Sequence, residues 1–413
     1  MKVTSLPPNA RIDVIDALRG SALCGILLLH SIEHWDFLRG PDHLPAWLQR
    51  LDQPTHDLAF FLFGGKAYAV FALMFGVSFF LILDRWTQQG IPFAGKFLWR
   101  LTILGVIGYL HGLIYCGDIL LIIALLGLPL IFLHRLSNCV LVALSIVLVL
   151  QIPSLWETGR VVFDPGYRPA PPWHWAVYGQ LFETFTHGSF RDVVTTNLWQ
   201  GQTSRLLWTY ETGRYLQMLG LFVWGLLLAR ARVFAEPVRC ARVARRALTV
   251  GLIAFAILYP IKLHLHAWGL QGLRHYVADN LVSSYVNLAQ MAIWAGGFVL
   301  LYHWTRARTL LRGLAPYGRM SLTGYVTQGL VGVPLFYGFG LGWYRYCGAF
   351  ASVLIGAALG VGQCVIAYLW LRRFHYGPLE WLWRSCTFRS FATPFVRRPR
   401  TCGAVAAPVA AVP

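Results

Sequence analysis

The chain has 413 residues, of which 57% are hydrophobic and only 13% charged, with a mean hydropathy of +0.55 and a formal net charge of +18. That composition lies far outside the soluble globular range. The basic residues are dispersed between apolar runs rather than gathered in one polar segment, which argues against a nucleic-acid-binding domain.

Apolar runs of about 17 to 25 residues recur along the whole chain, so the expected fold class is all-α, a polytopic transmembrane helix bundle. Ten spans are drawn, at 14–33, 59–83, 100–116, 119–134, 138–155, 211–229, 247–266, 281–303, 316–338 and 348–371. No small-residue cleavage site follows the first apolar run, so that span reads as a retained signal-anchor. With both termini cytoplasmic, the inner segments collect twenty-three basic residues, Lys2 and Arg11 among them, against nine outside. The flipped orientation puts that excess on the wrong side. The chain then divides into an N-terminal membrane bundle of five spans (1–155), an extracytoplasmic aromatic-rich loop with interfacial helices (156–210), a C-terminal bundle of five spans (211–390) and a flexible tail (391–413).

The first span carries titratable groups at both ends. Asp16 and Arg19 are three apart and share a helix face. Arg19 and His30 are eleven apart, three turns or roughly 16 Å along the axis. His30, Glu33 and His34 follow the i, i+3, i+4 rule and are expected on one side, turned to a bundle interior or a wet cavity. Lys66, early in the second span, either snorkels outward or pairs with a carboxylate such as Asp57.

His111 lies past the midplane of the third span and Asp118 at its outer turn, seven residues on. On one face, the carboxylate would fix the imidazole's tautomer and raise its basicity, as a general base needs. The 156–210 loop is rich in aromatics, from Trp173 and Trp175 to Trp199 and Trp208. It reads either as a plain aromatic belt or as helices gating the outer mouth. Glu211 and Arg214 open the sixth span at the same depth as His30 and His111. The inner loop 230–246 holds six arginines, which serve topology or attract anionic lipid or a phosphorylated donor. Ser321, Tyr325 and Gln328 of the ninth span read as interhelical packing, as does the Gly356/Gly360 pair. The eight cysteines include no CxxC pair and read as apolar fillers, so no metal site is expected. No metalloprotease, phosphate-loop, serine-hydrolase or potassium-filter motif occurs, and no internal repeat.

Several motifs in order resemble one family. They are Asp16-Ala-Leu-Arg19-Gly20, Gly65-Lys66-Ala-Tyr68, Leu110-His111-Gly-Leu113, Gly117-Asp118-Ile-Leu120, Gly213-Arg214-Tyr-Leu-Gln217, Gly318-Arg319-Met-Ser321 and Tyr376-Gly-Pro-Leu-Glu380-Trp-Leu-Trp383. On these the chain resembles the YeiB-like family, whose C-terminal half is the domain of unknown function 418. That family is grouped with transmembrane acyltransferases, including the lysosomal heparan glucosaminide acetyltransferase and the acyltransferase 3 enzymes. The resemblance implies acyl transfer from cytoplasmic acyl-CoA to an extracytoplasmic hydroxyl or amine acceptor, a cell-envelope glycan or a small molecule. Acyltransferase 3 enzymes place a basic residue, ten intervening residues and a catalytic histidine in the first span, the spacing of Arg19 to His30. The YeiB-like pattern usually has asparagine at the second position, so His30 departs from it.

The roles implied are His30 or His111 as general base and Asp118 or Glu33 as its orienter. Arg19 and Arg214 would hold the thioester or the developing oxyanion, with Lys66, Glu211 and His34 also on substrate. Arg85, Arg100 or the 230–246 cluster would receive the donor's nucleotide end. The expected surroundings are lipids of a bacterial-type cytoplasmic (inner) membrane. Acyl-CoA is the expected donor, with no metal and no nucleic acid. A transporter or lipid-binding membrane protein using the same polar cluster is the rival reading, and a scaffold in a membrane complex a third. The oligomeric state stays open.

Overall fold

The computed structural model describes residues 13–37, 39–303 and 305–397; Lys2, Arg11 and the 398–413 part of the expected tail lie outside them. Among the described residues the chain is helical, with one isolated antiparallel bridge between Phe374 and Val396. In chain order the helices are α1 (Asp13–Ile32), α2 (Ala46–Phe63), α3 (Ala67–Gln88), α4 (Phe93–Gly112), α5 (Leu120–Gly127), α6 (Leu130–Leu133), α7 (Asn138–Leu150) and α8 (Ile152–Phe163). They continue with α9 (Trp173–His187), α10 (Phe190–Thr196), α11 (Gln202–Glu211), α12 (Arg214–Arg230), α13 (Pro237–Leu263) and α14 (Gly272–His303). The last five are α15 (Thr305–Arg312), α16 (Ala315–Arg319), α17 (Ser321–Phe336), α18 (Ala349–Arg373) and α19 (Pro378–Phe388).

Seven helical runs are long and apolar enough to cross a membrane: Asp13–Ile32, Ala46–Gln88, Phe93–Gly112, Asn138–Phe163, Pro237–Leu263, Gly272–His303 and Ala349–Arg373. This is the architecture of a multi-pass membrane protein. The other three expected spans are shorter or broken. Residues 119–134 divide into α5 and α6 at Pro129, whose ring ends one helix and starts the next. α12 has 17 residues, and 316–338 divides between α16 and α17 at Met320. The Ala46–Gln88 run is itself interrupted at Gly64–Lys66, where Gly65 takes φ +73°, a conformation that a side chain would strain.

α1 is the axis of the bundle. Ala17, Ala22 and Leu23 are fully buried, and the helix packs against α3, α16, α17 and α18. In lipid, close packing rather than hydrophobic burial holds helices together, and small residues set how near they come. At Gly318 a methyl would strike the Asp16 carbonyl, and at Gly20 the Leu314 carbonyl. α13 is the opposite case, with Val250, Ile253 and Ile257 more than half exposed, an apolar face suited to lipid.

Within and just beyond the 156–210 segment the chain forms α9, α10 and α11, a helical cap that packs against the turn after α1. Leu181, Phe185 and Val193 pack into one buried cluster with Trp35, Phe37, Phe336 and Tyr337. Some loop aromatics stay outside, Trp173 and Trp199 among them. The first residues of the expected tail are held: His375 N–H donates to the Phe395 carbonyl, and Phe395 packs on Trp381.

Candidate functional site

Two cavities lie at opposite ends of α1. The larger, about 920 Å³, takes His30, Glu33 and Asp36 from the C-terminal end of α1 and the turn after it, and Lys66, Arg205 and Arg214 from other elements. Aromatic rings form its walls, with Tyr68, Tyr115 and Tyr325 from the bundle and Tyr178 and Trp208 from the helical cap.

The geometry at the end of α1 differs from the periodic expectation. The helix stops at Ile32, and His34, Trp35 and Asp36 take left-handed φ values of 49°, 57° and 61°. Each such residue without a glycine costs about 1–3 kcal/mol, and runs of them persist only where packing over-determines them. Here Trp35 and Phe37 are completely buried. The turn carries His34 away from the cavity. Its Nδ1 meets the Arg39 carbonyl at 2.7 Å, its Nε2 meets Ser352 Oγ at 3.0 Å, and its ring stacks on Phe336. His34 therefore anchors α1 to α18 instead of facing a substrate. The same turn brings Asp36 into the cavity, where Arg205 Nη2 meets its carboxylate at 3.2 Å and Tyr178 Oη donates to its carbonyl.

His111 Nδ1 and Asp118 Oδ1 are 2.9 Å apart, with side chains 1% and 3% exposed. They do not share a helix face. α4 ends at Gly112, and the pair closes across the reversal at Tyr115–Gly117. Asp118 Oδ2 also accepts from the amides of Leu120 and Leu121, capping α5. An ionised Asp118 makes Nδ1 the donor, so Nε2 carries the lone pair. That nitrogen is buried without a hydrogen-bond partner among the described residues, facing Gly329. His111 does not line the cavity. Two tyrosine rings stand between it and His30: Tyr115 lies 5.1 Å from the His30 ring and 5.8 Å from the His111 ring, and Tyr325 lies 6.0 and 5.6 Å away. His30 has cavity access and a shielded Nδ1 with no partner among the described residues, whereas His111 has an orienting carboxylate and no access.

Lys66 Nζ donates to the Phe60 carbonyl at 3.0 Å. Asp57 pairs instead with Gln53 and His56. The Arg214 guanidinium lies over Trp208 and Tyr68, 4.1 and 4.9 Å from their ring centres. Glu211 is outside the cavity. Its carboxylate accepts from the amides of Trp173 and His174 and pairs with His174 Nδ1 at 2.7 Å, capping α9. Partial burial works against its charge, but these donors outweigh it and hold the carboxyl below the usual range.

The second cavity, about 430 Å³, is lined by arginines at the N-terminal end of α1: Arg19, Arg85, Arg100, Arg232 and Arg319. Asp16, Asp84 and Glu380 are its carboxylates. Arg19 bonds Asp16 at 3.0 Å and donates to Ser78 Oγ at 2.6 Å. It therefore belongs to this cavity and not to the one holding His30. The Arg100 guanidinium lies 3.5 Å over Trp383, whose indole N–H donates to the Arg100 carbonyl. Glu380 caps α17 through the amides of Leu322 and Thr323. Of the 230–246 arginines, Arg232 enters the cavity, whereas Arg230 ties down the turn at Leu136 and Asn138.

Among the described residues, no group of three or more His, Cys, Asp or Glu is placed to hold a metal ion. Sequence reasoning missed Asp36 and Arg205. Asp36 stands three residues after Glu33, a signal that could have found it. Arg205 meets it from 169 residues away, with no local signature.

Residues 228–390 match the family described as a protein of unknown function (DUF418). The uncharacterized protein YxaH of Bacillus subtilis (strain 168) is 30% identical over 417 residues, covering 94% of this chain and 98% of YxaH. The chain belongs to this YeiB-like family. YeiB itself, an uncharacterized protein of Escherichia coli (strain K12), is 27% identical over 403 residues, covering 91% of this chain and 96% of its own length. An uncharacterized 39.9 kDa protein from the amylase 3' region of Bacillus acidopullulyticus is 26% identical over 383 residues, covering 92% and 94%. No solved structure matches the chain.

Proposed function

We propose that this YeiB-like protein is an integral membrane acyltransferase. It would move an acyl group from cytoplasmic acyl-CoA to a hydroxyl or amine acceptor on the other side. The observation that carries this reading is α1 itself, with Arg19 in a basic cavity at one end and His30 in a larger cavity at the other. Counting α5–α6, α12 and α17 as short crossings gives ten passes, with both termini cytoplasmic in a bacterial-type inner membrane. The arginine-lined cavity then faces the cytoplasm.

Five arginines against three carboxylates suit the phosphates of a nucleotide-bearing thioester, since guanidinium binds phosphate in fork geometry. The donor's arm would reach along α1 past Leu120 and Ile123 toward Ile119 and Ile122, residues of α5 and the position just before it that line one cavity and then the other. In the outer cavity, His30 takes the acceptor's proton as its oxygen or nitrogen bonds to the acyl carbon. The carbon–sulfur bond breaks, and the leaving thiolate receives the proton. Arg214 stabilises the developing oxyanion, and the His111–Asp118 pair fixes the Tyr115/Tyr325 wall behind His30. A transfer of radiolabel from acyl-CoA by purified protein in nanodiscs, lost in His30→Ala, tests the assignment.

One observation favours a second reading. Two cavities at opposite ends of one helix, parted by apolar α5 side chains, are also what alternating access of a transporter uses. Substrate uptake into proteoliposomes without acyl-CoA decides for that reading.

A further inference from the structure

The outer cavity is lined by the carboxylates Glu33, Asp36 and Asp57 and by four lysines and arginines. Asp36 is engaged by Arg205, Glu33 lies within electrostatic reach of Arg214, and Asp57 is engaged by Gln53 and His56. Lys66 and Lys262 also line the cavity, and neither makes an ion pair among the described residues. Lys66 is only 4% exposed, with a backbone carbonyl as its hydrogen-bond partner. An ammonium so placed, close enough to feel the charge of Lys262, is costly unless an anion joins it. Lys66 stands at the N-terminus of α3, where the helix dipole adds to the attraction for negative charge.

The same cavity opens sideways. Phe61 of α2 and Leu263 of α13 both line it, yet they are 40% and 59% exposed. α2 and α13 meet there through rings, Phe61 against Phe255 and Tyr259, instead of by close helix packing. The exposed flank of α13 below this gap is the apolar face of Val250, Ile253 and Ile257. A hydrocarbon chain lying along that face would bring a polar group to Lys262, which sits at the helix end, the depth of lipid phosphates.

We infer that the outer cavity binds a phosphate-bearing lipid, which enters between α2 and α13 and is held through its phosphate by Lys66 and Lys262. This names the acceptor class and so rests on the acyl-transfer reading, in which the headgroup's free hydroxyl or amine faces His30. The binding itself requires no chemistry.

The test is native mass spectrometry of the purified full chain in neutral detergent with dioleoyl phosphatidic acid, dioleoylglycerol and inorganic phosphate as probes. Retention of phosphatidic acid but not dioleoylglycerol is expected, with affinity at least tenfold lower in Lys66→Gln and in Lys262→Gln and restored in Lys262→Arg. Because Lys66→Gln could misfold, the partly exposed Lys262 carries the decision, with melting temperature as control. Equal binding of dioleoylglycerol, or unchanged binding in Lys262→Gln, overturns the inference. Inorganic phosphate competing as strongly as the lipid overturns the lipid source and leaves a soluble phosphate ester. Acyl transfer persisting without phosphatidic-acid binding sinks this inference alone. Binding without any acyl transfer sinks the enzyme reading alone.

Discussion

His111 Nδ1 lies 2.9 Å from Asp118 Oδ1, with both side chains closed off from solvent, and the second carboxylate oxygen caps α5. One residue thus fixes a histidine tautomer and a helix start together. Removing it leaves a buried imidazole and helix amides unpaired, so Asp118→Ala should cost about 3 kcal/mol or more. Thermal melting in detergent should show this, with His111→Ala/Asp118→Ala less destabilised than the sum of the single changes.

Gly329 gives His111 its room. A methyl there would meet Nε2, and overpacking of this kind costs about 1–3 kcal/mol. Gly329→Ala should lower the melting temperature and reduce acyl transfer further than that loss explains. Gly297→Ala, where a methyl meets nothing within 4 Å, is the control expected to be near neutral.

The helical cap is tied to α1 through Asp36. Arg205 and Tyr178 both bond it from the cap, one on the carboxylate and one on the carbonyl. Arg205→Ala should open the cap, read as faster proteolysis at the Gly188–Ser189 turn. The cycle Asp36→Asn, Arg205→Ala and their combination should give a coupling of about 0.5–3 kcal/mol.

The Glu211 cap on α9 is pH-dependent in a set direction. Its carboxyl is held below the usual range in the folded protein, so its contribution is present at neutral pH. That contribution disappears as acid takes the pH below the ordinary glutamate value of about 4.3 and through the folded one. The protection factors of the Trp173 and His174 amides against hydrogen exchange should fall over that acid range. In Glu211→Gln the protection factors should be low and independent of pH across that range.

In the acyl-transfer reading proposed above, Arg100 binds the donor rather than doing chemistry. Its guanidinium is flattened on Trp383 and donates to Thr387 Oγ1 at the arginine-lined cavity. Arg100→Ala should raise the KM for acyl-CoA about tenfold, near 1.4 kcal/mol, and leave kcat little changed.

Much of this was legible in the sequence, because long apolar runs are a strong signal. Seven of the expected spans became helices long enough to cross a membrane. The three that fell short contain breaks that run-counting overlooks, such as Pro129 and the Met320 step between α16 and α17. His111 and Asp118 were paired by spacing, but the contact is made across a turn. The i, i+3, i+4 reading failed at His34 because the chain leaves the helix at Ile32 and turns left-handed. The Asp36–Arg205 pair joins elements far apart in the chain, and periodicity carries no information on such contacts.

The central claim is tested most directly by incubating the reconstituted protein with radiolabelled acetyl-CoA and bacterial envelope extract, comparing wild type with His30→Ala. The account predicts label in an extracytoplasmic acceptor with wild type and at least a hundredfold less with His30→Ala of unchanged melting temperature. Equal labelling by the two proteins, or none by wild type together with uptake of a substrate in the absence of acyl-CoA, would contradict it.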